Sequence, residues 1–162
     1  MKTLFLVRHA KSSRDDPKLP DRDRPLKDRG LRDAQRVGER LAKRDARPDL
    51  ILSSPARRAL TTAEIIARKV GYKTQDIVVD ERLYAANPDD LLEVIRTLGN
   101  KWHRVMLFGH NPELTELAHD LSAKITDMPT CAVAVFTYDV KSWSNLGEQE
   151  PATVRLHRPK ES

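Results

Sequence analysis

Cysteine is almost absent from this chain. Cys131 stands alone among 162 residues, so no internal disulfide framework is possible. Aromatics make up only 5%, too few for the stacking platform that single-stranded nucleic acid uses. No apolar run approaches the roughly 18 residues of a membrane span. No spacing of His, Cys and carboxylates matches a metal site. Met1-Lys2-Thr3 leads directly into an apolar stretch, so no secretory leader is expected. These absences point to a cytoplasmic protein with no metal, no cofactor, and neither a membrane nor a nucleic-acid partner.

What is present is charge and a core. Charged residues make up 33% and apolar residues 39%, with a net charge of +5. The basic residues are interleaved with acidic ones, as in Arg14-Asp15-Asp16, Asp21-Arg22-Asp23-Arg24 and Lys27-Asp28-Arg29. Alternating signs read as a solvated face rather than a phosphate-tracking stripe. The length fits one domain, over 1–158, able to bury its own core. A polar tail, 159–162, is expected to fray.

Apolar runs and helical periodicities alternate along the chain. Strands are predicted at 3–7, 49–53, 77–79 and 104–108. Helices are predicted at 28–44, 55–70, from Asn87-Pro88 to Gly99, and from Asn111-Pro112 onward. The first helix should turn Leu31, Ala34, Gly38, Leu41 and Ala42 inward, and the third Leu91, Leu92, Ile95 and Leu98. Two late strands, 132–138 and 152–157, have no helix between them, which predicts an antiparallel edge. The pattern describes an α/β fold: a three-layer α/β/α arrangement with a mostly parallel central sheet. Ser54-Pro55, Asn87-Pro88 and Asn111-Pro112 each pair a capping residue with proline, the signature of a helix start.

Three strands end in chemistry. Leu4-Phe5-Leu6-Val7 runs into Arg8-His9-Ala10, Leu50-Ile51-Leu52 into Ser53-Ser54-Pro55-Ala56-Arg57-Arg58, and Val105-Met106-Leu107-Phe108 into Gly109-His110-Asn111-Pro112. Ligands of open α/β sheets bind beyond the carboxyl ends of the strands. Helix N-termini and arginine forks suit phosphate there. A histidine among arginines is held neutral by like charge, which leaves its imidazole free as a nucleophile. A second histidine, protonated or presenting its N–H, can donate to the phosphoryl group. Cationic side chains then supply the stabilisation that Mg²⁺ gives elsewhere.

Arg8-His9-Ala10, Ser54-Pro55-Ala56-Arg57-Arg58-Ala59-Leu60-Thr61-Thr62, the Gly109–Pro112 turn and the stretch Arg24–Gly30 resemble, in order and spacing, the histidine phosphatase superfamily, also called phosphoglycerate mutase-like. The resemblance covers residue 3 to about 120. It implies that His9 attacks phosphorus and becomes a phosphohistidine, that Arg8 and Arg58 clamp the phosphoryl oxygens, and that His110 donates to them. Alignment selects Arg58 over its neighbour Arg57. Ser12 matches a motif serine that hydrogen-bonds in the pocket. The general acid in this family is often a carboxylate after the third strand, where Glu81 is the candidate and Asp80 the runner-up; either could instead cap a loop or pair with Arg82. Asp15 stands where the mutase pattern has asparagine, and a carboxylate there would repel phosphate.

The short chain and Arg-His-Ala resemble the SixA-type phosphohistidine phosphatases. That implies a metal-independent phosphatase acting on a phosphorylated protein or a small phosphorylated substrate, with phosphohistidine in a protein leading. The alternatives are a phosphatase of small phosphate esters and a non-catalytic phosphate- or phosphoprotein-binding module on the same fold. A phosphomutase is disfavoured by Asp15 and by the short chain.

Overall fold

A computed structural model describes residues 1–160. Strands β1 (Lys2–Arg8), β2 (Leu50–Ser53), β3 (Val78–Val79), β4 (Arg104–Gly109), β5 (Val133–Tyr138) and β6 (Thr153–His157) form one sheet in the order β3-β2-β4-β1-β5-β6. The first four are mutually parallel, while β5 runs antiparallel to β1 and β6 antiparallel to β5. This is the expected parallel sheet with an antiparallel edge.

Each central strand is apolar on both faces because helices cover both. From β1, Phe5 and Val7 enter the core beneath helices α1 (Asp28–Lys43) and α2 (Arg57–Val70). Leu4 and Leu6 enter the opposite core beneath α3 (Pro88–Arg96) and α4 (Glu113–Leu121). Trp143 is fully buried in that second core, with its indole N–H donating to the Trp102 carbonyl at 2.8 Å.

Several boundaries differ from expectation. Ala34, Gly38 and Leu41 face inward on α1 as expected, joined by Gly30, Asp33 and Val37, but Leu31 is 40% exposed. The cause is close approach at Gly30: a Cβ there would lie 2.2 Å from the Lys11 carbonyl oxygen. That contact turns Gly30 inward and Leu31, about 100° further round, toward solvent. In α3, Val94 is buried while Leu92 and Leu98 are only partly so, and the helix stops at Arg96. Asn87 is the expected N-cap, and it forms a capping box with Asp90.

The other two proline starts are shifted. α2 begins at Arg57 rather than at Pro55, because the Ser54 hydroxyl is engaged with the Ala56 N–H and with His110. α4 begins at Glu113, and the Asn111 side-chain oxygen accepts from the Thr115 N–H one turn inside. At the end of the chain, Pro159 is buried and its carbonyl accepts from Arg40. That part of the tail is therefore anchored. Glu161 and Ser162, also assigned to it, lie outside the described residues. Among the described residues no helix is long and apolar enough to cross a membrane.

Candidate active site

The carboxyl ends of β1, β2 and β4 lie side by side, with Arg8 paired to Gly109 and Ser53 to Phe108. The backbone beyond β1 is fastened on both flanks. The His9 N–H donates to the Gly109 carbonyl at 3.1 Å, and the His9 carbonyl accepts from the Cys131 N–H at 3.0 Å. Arg8, His9, Arg58 and His110 thereby meet in a pocket of about 310 Å³. His9, Arg58 and His110 are all more than nine-tenths buried. Arg57, one residue away, is exposed.

The two imidazoles are held differently. His9 Nδ1 lies 2.7 Å from the Ala10 carbonyl. A carbonyl only accepts, so the proton sits on Nδ1 and Nε2 keeps its lone pair. Burial, helped by the guanidinium groups of Arg58, Arg8 and Arg24, lowers His9 from its ordinary 6.5 to about 4, although the Ala10 bond raises it. The expected neutral imidazole is present, with burial rather than like charge as its main cause. His110 Nε2 lies 2.8 Å from the Ser54 hydroxyl, and its ring sits 5.2 Å from that of His9. Burial, then the charges of His9 and Arg58, lower His110 to about 3. A neutral His110 presents an N–H rather than a positive charge.

The arginines are tethered at their tips. Arg8 Nη1 donates to the Met128 carbonyl at 3.0 Å, and Arg58 donates to the Asp21 carbonyl at 2.7 Å and carboxylate at 3.0 Å. Among the described residues Arg8 Nε and Arg58 Nε are buried with no hydrogen-bond partner, and so is His110 Nδ1, a donor when Nε2 accepts from the Ser54 hydroxyl. Buried donors without partners are costly. All three belong to residues that line one cationic pocket, the charge an anion site needs.

Asp21, Arg24 and Tyr84 complete the site, although none was assigned a role from the sequence. Asp21 is the one carboxylate lining the pocket. It accepts from the Tyr84 hydroxyl at 2.5 Å, from Arg58, and from Arg24 at 3.2 Å. The Tyr84 bond foremost, then Arg58 and Arg24, hold its carboxyl well below the usual carboxylate range. Tyr84 also meets His110 edge-on, with ring centroids 5.7 Å apart. Arg24 is buried and donates to the Ser12 hydroxyl at 3.0 Å, so Ser12 lines the pocket through that contact. A signal was available: Arg24 opens the stretch resembling the family.

The carboxylates after β3 stand apart. Asp80 caps a 3₁₀ turn, accepting from the Arg82 N–H at 2.9 Å, and pairs with the Arg82 guanidinium at 2.6 Å. Glu81 is largely exposed and paired with Arg22. Neither lines the pocket, and neither does Asp15. Cys131 is buried, and burial pushes its thiol up to about 12, so it is no nucleophile. Among the described residues no group of His, Cys, Asp and Glu could hold a metal ion.

The profile of the histidine phosphatase superfamily, branch 1, matches residues 4–92. An uncharacterized chloroplastic protein of Arabidopsis thaliana is 33% identical over 148 residues, spanning 86% of this chain and 68% of that protein. Among solved structures, SixA from Agrobacterium tumefaciens is 31% identical and superposes with a TM-score of 0.77 over 85% of this chain and 92% of its own. A protein histidine phosphatase SixA complexed with tungstate has a TM-score of 0.81 at 22% identity, over 97% of each chain, and shares the fold.

Proposed function

This chain belongs to the histidine phosphatase superfamily and is a phosphatase, and from that premise we propose that it hydrolyses phosphohistidine carried by a protein, through a phosphoenzyme on His9 and without a metal. His9 Nε2 attacks phosphorus in line with the leaving nitrogen. Arg8 and Arg58 neutralise the equatorial oxygens, and the neutral His110 donates its N–H to the same group. The P–N bond of the substrate breaks as the P–Nε2 bond forms. Water then attacks phospho-His9, releasing phosphate and neutral His9, whose Nδ1–H still donates to the Ala10 carbonyl.

The observation that carries the substrate class is the state of Asp21. It is the one carboxylate lining the pocket, and Tyr84, Arg58 and Arg24 hold it ionised. An ionised carboxylate cannot protonate a leaving group. An alkoxide leaving from a phosphate ester needs a proton, since its conjugate acid resembles water with a pKa of ~15.7. A phosphohistidine already protonated on its other ring nitrogen departs as neutral imidazole, whose conjugate acid has a pKa of ~6.5. The substrate brings its own acid, and the exposed position of Glu81 is then no defect.

The test is steady-state hydrolysis in the presence of chelator, comparing a phosphohistidine-bearing carrier protein with serine and sugar phosphates. His9→Ala serves as the control. The proposal expects turnover of phosphohistidine well above that of the esters, lost in His9→Ala. Efficient ester turnover with none on phosphohistidine contradicts it.

A further inference from the structure

The loop over 10–27 alternates in charge along the sequence but not in space. Lys11, Arg14 and Lys27 all line the active-site pocket. All three are exposed, and none makes a side-chain hydrogen bond or ion pair among the described residues. The nearby acids turn elsewhere. Asp15 and Asp28 line an adjoining hollow, which of the three cations only Lys27 also borders, and Asp16 accepts from the Lys18 N–H. A run that reads as a solvated face is, in three dimensions, a one-signed collar.

Backbone contacts tie the two legs of the collar together. Ser12 and Leu26 form an antiparallel bridge. The Ser13 N–H donates to the Pro25 carbonyl at 2.8 Å and the Lys27 N–H to the Lys11 carbonyl at 2.9 Å. In that register Lys11 lies opposite Lys27. Like charges directly opposite across an antiparallel pair destabilise it. An opposing anion removes the cost. Gly30 presses against the same Lys11 carbonyl, so the two legs have little room to part.

The inner charge count shows what the collar is for. Arg8, Arg24 and Arg58 against Asp21 leave two positive charges at the centre, enough for one phosphoryl dianion. Lys11, Arg14 and Lys27 are three further cations that the phosphoryl group does not need. On the reading of the site given above, we propose that this collar is a docking subsite for carboxylate side chains flanking the phosphohistidine, so that the substrate is a protein whose phosphohistidine sits in an acidic surface. Charges at such a rim act through long-range attraction, so the preference weakens with salt.

Peptides carrying the non-hydrolysable analogue phosphotriazolylalanine, flanked either by Glu or by the isosteric Gln, test the subsite by binding alone. Wild type is expected to bind the Glu peptide about tenfold or more tightly than the Gln peptide at low salt, a difference of about 1.4 kcal/mol. In the triple variant Lys11→Gln, Arg14→Gln, Lys27→Gln that ratio is expected to fall to about one. The ratio is read within each protein, so a general loss of binding in the variant cancels. Equal affinity of wild type for the two peptides overturns the proposal, as does a single-stranded oligonucleotide that displaces the Glu peptide at lower concentration. The phosphohistidine versions of the same peptides separate the two readings. A Glu preference in binding with no hydrolysis of either peptide upholds the subsite and sinks the phosphatase substrate; hydrolysis of both at equal rates does the reverse.

Discussion

The floor of the pocket and its outer wall are built by different means. Arg8, His9 and His110 stand on the ends of two paired central strands, backbone hydrogen bonds to Gly109, Ala132 and Cys131 fix that floor, and Arg58 joins it from the first turn of α2. The wall, which holds Asp21, Arg22 and Tyr84, is held by side chains from segments far apart in sequence. Asp21 and Tyr84 are 63 residues apart, and Asp21 and Arg58 are 37 apart. Strand-borne groups hold reacting atoms to tight geometry, whereas a wall tied by a few polar contacts can adjust to what enters. We assign chemistry to the floor and selection to the wall, and each prediction below presses on that division.

The largest effect is expected at the floor. His9→Ala removes the nucleophile, and kcat should fall by at least about 10³-fold. Arg58→Ala should cost about 10²- to 10³-fold in kcat, as loss of a donor to developing charge does. Effects of less than tenfold at both positions would erase the difference between floor and wall.

The floor also sets the response to acid. His9 and His110 are lowered to about 4 and about 3 when folded, against about 6.5 when unfolded. Between those values the unfolded chain binds more protons, so stability rises with pH across that window and is lost as pH falls from about 6.5. The His9 shift alone corresponds to roughly 3 kcal/mol by pH 4. Urea denaturation of wild type at pH 7 and pH 4.5 should show the loss, and the double variant His9→Asn, His110→Asn should show a shallower slope. Equal slopes would mean that the imidazoles are not the acid-sensitive groups.

At the wall the expected changes are smaller. Tyr84→Phe removes the hydroxyl on Asp21 but leaves Arg58 and Arg24 in place. We expect a loss of about 1 kcal/mol in stability and less than tenfold in kcat, with KM carrying most of the change. Glu81→Gln should alter kcat by about twofold at most, because its ion pair with Arg22 is exposed. A loss near 10²-fold, typical of a general acid, would return Glu81 to the reaction.

The same division explains what was legible in the sequence. The strands of the floor announced themselves, because apolar runs of three or four residues end in Arg-His, Ser-Ser-Pro and Gly-His. The antiparallel edge followed from two strands with no helix between them. The wall was not legible: no pattern along the chain says that Asp21 meets Tyr84, or that Lys11 and Arg14 face the pocket while Asp15 does not. Those facts depend on loop geometry and on contacts between distant segments. Leu31 on α1 was misjudged for a related reason, since the Gly30 contact with Lys11 lies outside the helix, while Ala34, Gly38 and Leu41 face inward as expected. The starts at Ser54 and Asn111 were misread because their side chains serve His110 and Thr115.

The central claim is that Nε2 of His9 carries the phosphoryl group. The most direct test is to mix the enzyme with a phosphohistidine protein, quench within the first turnover under alkaline conditions that preserve phosphohistidine, and map the phosphate by peptide mass spectrometry and phosphorus NMR. We predict one phosphoryl group on the peptide containing His9, bonded to Nε2, and none in His9→Ala. Phosphate on Nδ1, on His110, or released by the enzyme with no phosphoenzyme formed, would contradict the account.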